Sequence, residues 1–171
     1  MIAACTTAPP LRWWDRDKLV RVAAVLGAVA VAFDAAWVVA SGGMPAAADP
    51  AHNYVLRCVG CHTFAGVSPP LGRIPTLKDV VGHFAQLPEG RRYLVNVPGI
   101  VGSHLPPAET AALLNWMIET YGGPSLPKDF QPFTAEEVVA LRKDAPADVM
   151  RLRAAVRERL SEGGYTIDAY P

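Results

Sequence analysis

With 171 residues the chain has room for one compact domain and its appendages, which excludes a large multidomain enzyme. Its 16 Lys+Arg against 16 Asp+Glu give a formal net charge of +0, so no overall positive field exists to draw nucleic acid or coat an acidic membrane. Hydrophobic residues reach 51%, a value raised by one alanine- and valine-rich block near the N-terminus, and of the 3 cysteines only Cys58 and Cys61 are close neighbours, which argues against a disulfide-stapled scaffold.

In chain order, Arg12, Arg16, Lys18 and Arg21 precede an apolar stretch from Val22 to Ala40, followed by Ser41-Gly42-Gly43 and Pro45-Ala46-Ala47-Ala48. A basic flank, an apolar core and a small-residue exit with Ala46 and Ala48 in A-x-A spacing read as an export signal cleaved before Asp49. The same stretch, residues 19–40, approaches the ~20 residues that cross a bilayer, so a retained anchor is the other reading, with Asp34 a cost inside it. On either reading the basic flank stays cytoplasmic and everything after Asp49 works outside, in the periplasm, soluble or anchored to the inner membrane. Cys5 after Ile2-Ala3-Ala4 lacks the leader that an acylation site needs and reads as incidental. Trp13 and Trp14 either sit at a membrane interface or leave with the leader.

Asp49-Pro50 is an N-cap with proline at the first helical position, opening a helix through Tyr54 to about Gly60. A Gly- and Pro-rich loop spans 66–75, and Thr76-Leu77-Lys78-Asp79 has the form of a capping box opening a short helix to Gln86. Another short helix follows Pro88, the chain breaks at Val97-Pro98-Gly99, and Gly99–Pro107 reads as a loop. Ala108–Tyr121 carries Ala111, Leu114, Ile118 and Tyr121 at helical spacing and is long enough to anchor a core. Gly122-Gly123-Pro124 ends it. A second unit follows: Thr134 to Glu137 cap a helix to Lys143, and Ala147–Ser161 forms another with Val149, Leu152, Val156 and Leu160 on one face and Arg151, Arg153, Arg157 and Arg159 as a solvated basic face. The predicted fold class is all-α: a leader over 1–48, a helical domain over 49–123 and a helical C-terminal extension over 124–171.

Cys58-Val59-Gly60-Cys61-His62 is the C-x-x-C-H pattern of covalent haem attachment. Two thiols one helical turn apart can reach the two vinyl groups on adjacent pyrroles, and His62 then falls under the iron. A zinc site would need further Cys or His ligands, and no second C-x-x-C exists. A thioredoxin-like dithiol would need a βαβ setting, which the helical pattern does not offer.

On that motif, and on the helix before it, the proline-containing loop after it and a closing helix with Trp116, the segment 49–121 resembles the class I monohaem c-type cytochromes of bacteria. The resemblance implies one covalent haem c, with Cys58, Cys61 and His62 holding it. In similar cytochromes a proline carbonyl accepts the proximal imidazole N–H, fixing its tautomer. Pro75 looks like that residue and Pro69 is the alternative. The resemblance also brings Arg73, Arg91, Arg92 and Tyr93 near the haem propionates, and places Tyr54, Phe64, Phe84 and Trp116 where they can wall the haem; surface and core-packing roles remain alternatives.

The sequence departs from that family at the sixth iron ligand. No methionine lies between His62 and Trp116, where such proteins usually carry one, and the corresponding loop holds His104 instead. His104 is therefore the expected second metal ligand beside His62, with Met117, His83, Met150 or an open position as alternatives. The implied function is a one-electron carrier rather than an enzyme, free or as a subunit of an oxidoreductase complex, between a periplasmic or membrane-bound dehydrogenase and a second cytochrome or oxidase. The alternative is an open haem that binds small ligands or performs peroxide chemistry.

Overall fold

The computed structural model describes residues 48–68 and 74–168. The leader or anchor expected over 1–48, with Cys5, Trp13, Trp14 and Asp34, falls outside them apart from Ala48, as do Pro69 and Arg73. No described helix is long and apolar enough to cross a membrane.

Among the described residues all regular structure is helical. Asp49 caps α1 (Pro50–Arg57), its carboxylate accepting from the Ala51 N–H at 2.9 Å. The chain pauses at Cys58 and resumes as the short α2 (Val59–His62), so the single helix predicted to Gly60 is two. The capping box expected at Thr76 does not form. Its hydroxyl donates instead to the Gly66 carbonyl at 3.2 Å, and Asp79 at φ 61 cannot be helical, so α3 (Val81–Ala85) starts late. Proline opens α4 (Pro88–Asn96) and also α5 (Pro98–Gly102), the latter within the segment read as loop. The long α6 (Pro107–Tyr121) buries Ala111, Leu114, Ile118 and Tyr121, the predicted stripe. A 3-10 turn, Gly123–Ser125, leads into the extension. There α7 (Ala135–Lys143) is capped by Thr134, which accepts from the Glu137 N–H at 3.1 Å. The last helix, α8 (Val149–Glu162), is capped by Asp148, whose Oδ1 accepts from the N–H groups of Met150 and Arg151 at 2.8 and 3.0 Å.

α1 packs on α6. At their crossing Tyr54 meets Trp116 and Tyr121 with ring centroids 5.2 and 5.1 Å apart, and the Tyr54 hydroxyl donates to the Thr63 carbonyl at 2.8 Å, fixing the end of α2. α3 and α4 pack on each other and on α6.

The extension is not a separate layer on the outside. Residues 47–171 form one unit, and Phe133, Val138, Val156 and Leu160 share a continuous core with Leu94, Leu113 and Ile118. α7 lies on α6 and α4, and α8 lies on α4. Polar links lock this arrangement. Asn115 and Phe133 exchange two hydrogen bonds at 3.0 and 2.7 Å, and the Asn96 amide donates to the Leu141 carbonyl at 3.1 Å. Arg142 donates to the fully buried Thr110 hydroxyl at 3.0 Å. On α8 the basic face is also incomplete: Arg153 turns inward, stacking toward the Phe84 ring and donating twice to the Asp168 carbonyl, both at 3.2 Å.

Candidate haem site

The Cys58 carbonyl organises the attachment turn, accepting from the N–H groups of Cys61 and His62 at 3.0 and 2.9 Å. Both thiols and the imidazole therefore stand on one tight turn. Cys58 is buried and Cys61 exposed. Burial chiefly, with the neighbouring Cys61 adding, pushes the Cys58 thiol up, against the lowering influence of Arg57. Thr63 at φ 57 then turns the chain out of the helix.

Cys58, Cys61 and His62 open onto a cavity of about 360 Å³ with mostly apolar walls. Ile74, Pro75, Leu77 and Val81 form one part of the lining, Phe84, Tyr93 and Leu94 another, and Val97–Ile100 a third. Leu114 and Met117 reach it from α6, and Val149, Met150 and Arg153 reach it from α8. The extension thus contributes a wall.

Pro75 lines the same cavity as His62. Burial drives the His62 imidazole below its ordinary range, and the Pro75 backbone carbonyl opposes that shift, since it faces the ring. Nδ1 itself is enclosed by protein. A neutral imidazole is the ligating form. Among the described residues no group of three or more His, Cys, Asp or Glu side chains is placed to hold a bare metal ion. Paired thiols on one turn, a half-buried imidazole with its Nδ1 enclosed and an apolar cavity between helices fit haem c.

The other expected site residues divide. His104 does not reach this cavity: it is exposed, at φ 54, and lines a separate open pocket with Asn96 and Arg142. The cause lies one residue earlier. Ser103 is buried, its hydroxyl donates to the Ile100 carbonyl at 2.7 Å and its carbonyl accepts from Arg57 at 2.9 Å, so burying Ser103 and Leu105 turns His104 outward. His83 also stands apart from the lining, with its ring 4.1 Å from that of Tyr165. Met117 and Met150 both line the cavity.

Of the expected wall, Phe84 lines the cavity, whereas Tyr54 and Trp116 belong to the α1/α6 crossing and Phe64 is exposed; Tyr93, expected near the propionates, lines the cavity as well. Arg91 and Arg92 do not line the cavity either. Arg91 pairs with Glu137 and Arg92 with Asp144, both in the extension. From α8 the sequence offers Met150 as a ligand candidate, but it gives no sign that Val149 and Arg153 line the same cavity.

No family model matches the sequence, and no solved structure matches it. The chain is 35% identical over 133 residues to a Cytochrome c-552 of Thermus thermophilus, an alignment covering 66% of this chain and 88% of that protein. A second Cytochrome c-552 of Thermus thermophilus is 34% identical over 126 residues, covering 62% and 95%. Likeness at that level over nearly the whole of both relatives agrees with the attachment turn and its cavity, and the chain belongs to the monohaem c-type cytochromes, whose cofactor is covalently bound haem c.

Proposed function

We propose that the protein is a one-electron carrier working outside the cytoplasm, between a periplasmic or membrane-bound dehydrogenase as donor and a second cytochrome or oxidase as acceptor. The observation that carries this reading is the attachment turn of Cys58, Cys61 and His62 on a closely walled apolar cavity. Haem c bound there supplies reversible Fe(III)/Fe(II) exchange. The chain's own residues do the rest. Cys58 and Cys61 tether the cofactor, His62 supplies a neutral nitrogen, and the Pro75 carbonyl orients that ring. Apolar walls exclude water, which disfavours the more highly charged oxidation state and tunes the potential upward. Cys61 is exposed, so a group attached to it reaches the surface, where a partner can exchange electrons without a substrate channel.

Residues 1–48 serve export in this reading, whether cleaved or kept as an anchor over 19–40. A docked subunit of an oxidoreductase complex would use the same chemistry.

The test is made on holoprotein. Haem staining of a denaturing gel should be positive for the natural sequence and lost in Cys58→Ala/Cys61→Ala. A redox titration should follow a reversible one-electron curve, with neither rapid carbon monoxide binding nor peroxide turnover. Brisk peroxide turnover by a high-spin protein would favour the open-site alternative instead.

A further inference from the structure

Resting on the haem site just described, we propose that the sixth ligand is Met150, supplied by the C-terminal extension rather than by the loop before α6. Besides the attachment turn, few cavity-lining side chains carry an atom able to bind iron: the thioethers of Met117 and Met150 and the hydroxyls of Tyr93 and Thr76. A phenol, with an ordinary pKa near 10, is a weak ligand at neutral pH, and Tyr93 is packed on Phe84 with centroids 5.3 Å apart. Thr76 is engaged with the Gly66 carbonyl. The choice therefore falls between two sulfurs.

Topology separates them. Met117 stands on α6, the helix that packs against α1, and α1 runs straight into Cys58 and His62. It is 6% exposed among Leu113, Leu114 and Ile118 and is committed to core packing. Met150 stands on α8, whose main packing partner is α4, yet it lines the same cavity as His62. With 37% of its surface uncovered by protein, it is not committed to core packing.

Its backbone is well placed to hold a ligand. The Met150 N–H is fixed by the Asp148 cap, and the extension is bolted to α4 by Arg91–Glu137 and Arg92–Asp144. The unbranched side chain supplies the remaining reach. A thioether is a soft ligand that suits haem iron and favours the reduced state relative to imidazole.

The experiment compares full-length holoproteins of the natural sequence, Met150→Ala, Met150→His and Met117→Leu, with haem staining and optical spectra of both oxidation states. The natural protein should show the weak long-wavelength ferric band of sulfur ligation. Met150→Ala should lose that band, become high-spin and bind carbon monoxide rapidly when reduced. Met150→His should stay low-spin without the band and at a lower potential, which guards against reading misfolding as ligand loss, and Met117→Leu should keep the band. An unchanged Met150→Ala spectrum, or loss of the band in Met117→Leu alone, overturns the proposal while leaving the cytochrome reading intact. A natural protein without covalent haem would overturn that reading itself.

Discussion

Arg91 and Glu137 form a two-point ion pair, with Nε and Nη2 of the guanidinium each 2.6 Å from a separate carboxylate oxygen. The same guanidinium lies 3.7 Å from the centre of the Phe133 ring and donates to the Gln131 carbonyl at 2.9 Å. One side chain on α4 therefore holds both the approach to the extension and its first helix.

Partial burial and bidentate geometry make this pair stronger than an ordinary surface ion pair. Arg91→Ala should cost about 2 kcal/mol, and Arg91→Lys should recover less than half, because a lysine can neither fork nor stack. Chemical denaturation of Arg91→Ala, Glu137→Gln and the double variant checks it. A coupling of about 1 kcal/mol is expected, and additive effects would show that the pair is incidental.

Truncation after Gly123 removes Phe133, Val138, Val156 and Leu160 from the core. At about 2 kcal/mol for each buried side chain, the loss is about 8 kcal/mol, comparable to the whole stability of a domain this size. The truncated chain should lose its cooperative thermal transition, followed by circular dichroism. A truncated protein that still melts sharply and holds haem would show that 124–171 is dispensable to the haem domain.

What the sequence made legible was local. Asp49, Pro88 and Thr134 announce helix starts because a cap needs only residues within one turn, and α6 shows its stripe because its burial follows a single period. Where a distant group competes, the local signal fails. Thr76 has the right neighbours for a cap but gives its hydroxyl to Gly66, and the outward turn of His104 depends on Arg57 holding the Ser103 carbonyl from 46 positions away. Arg91 and Arg92 are brought near the propionates, or to the surface, by the family resemblance, and nothing in the sequence signals that Glu137 and Asp144 of the extension lie beside them. The cysteines and His62 were legible because their chemistry is written in adjacent positions. The second wall of the cavity was not, since Met150 and Arg153 reach it only once the extension has folded back onto α4.

His83 gives a pH signature. Burial holds its pKa below the ordinary histidine value, so the folded state resists protonation more than the unfolded state does. The sign follows: its contribution is complete above about pH 6.5 and fades as acid is added through the lowered value. His83→Gln should flatten that part of the profile. Urea midpoints at neutral and mildly acidic pH measure it, with the natural protein expected to lose more of its midpoint on acidification than the variant. Equal losses would mean that the Tyr165 ring and Gln86 leave the imidazole free to charge.

Gly66, in the loop after the motif, tolerates little change. Its φ is +69, and a Cβ there would stand 2.6 Å from Cδ1 of Tyr121. Its carbonyl accepts from the N–H groups of Leu77 and Lys78 at 2.8 and 3.0 Å as well as from Thr76, so it anchors the segment that presents Pro75 to His62. Gly66→Ala meets two separate penalties, the left-handed backbone and the overlap with the ring, together about 3 kcal/mol. On a domain of this size that lowers the melting temperature by about 10 °C. Tyr121→Leu relieves the overlap but not the backbone strain, while itself losing the hydroxyl's 3.2 Å bond to the Phe64 carbonyl. Thermal melts of the two single variants and the double should therefore show the double as less destabilised than the sum, by about 1 kcal/mol. Strict additivity would place the whole cost in the backbone, and no cost in Gly66→Ala would show that the loop can repack away from Tyr121.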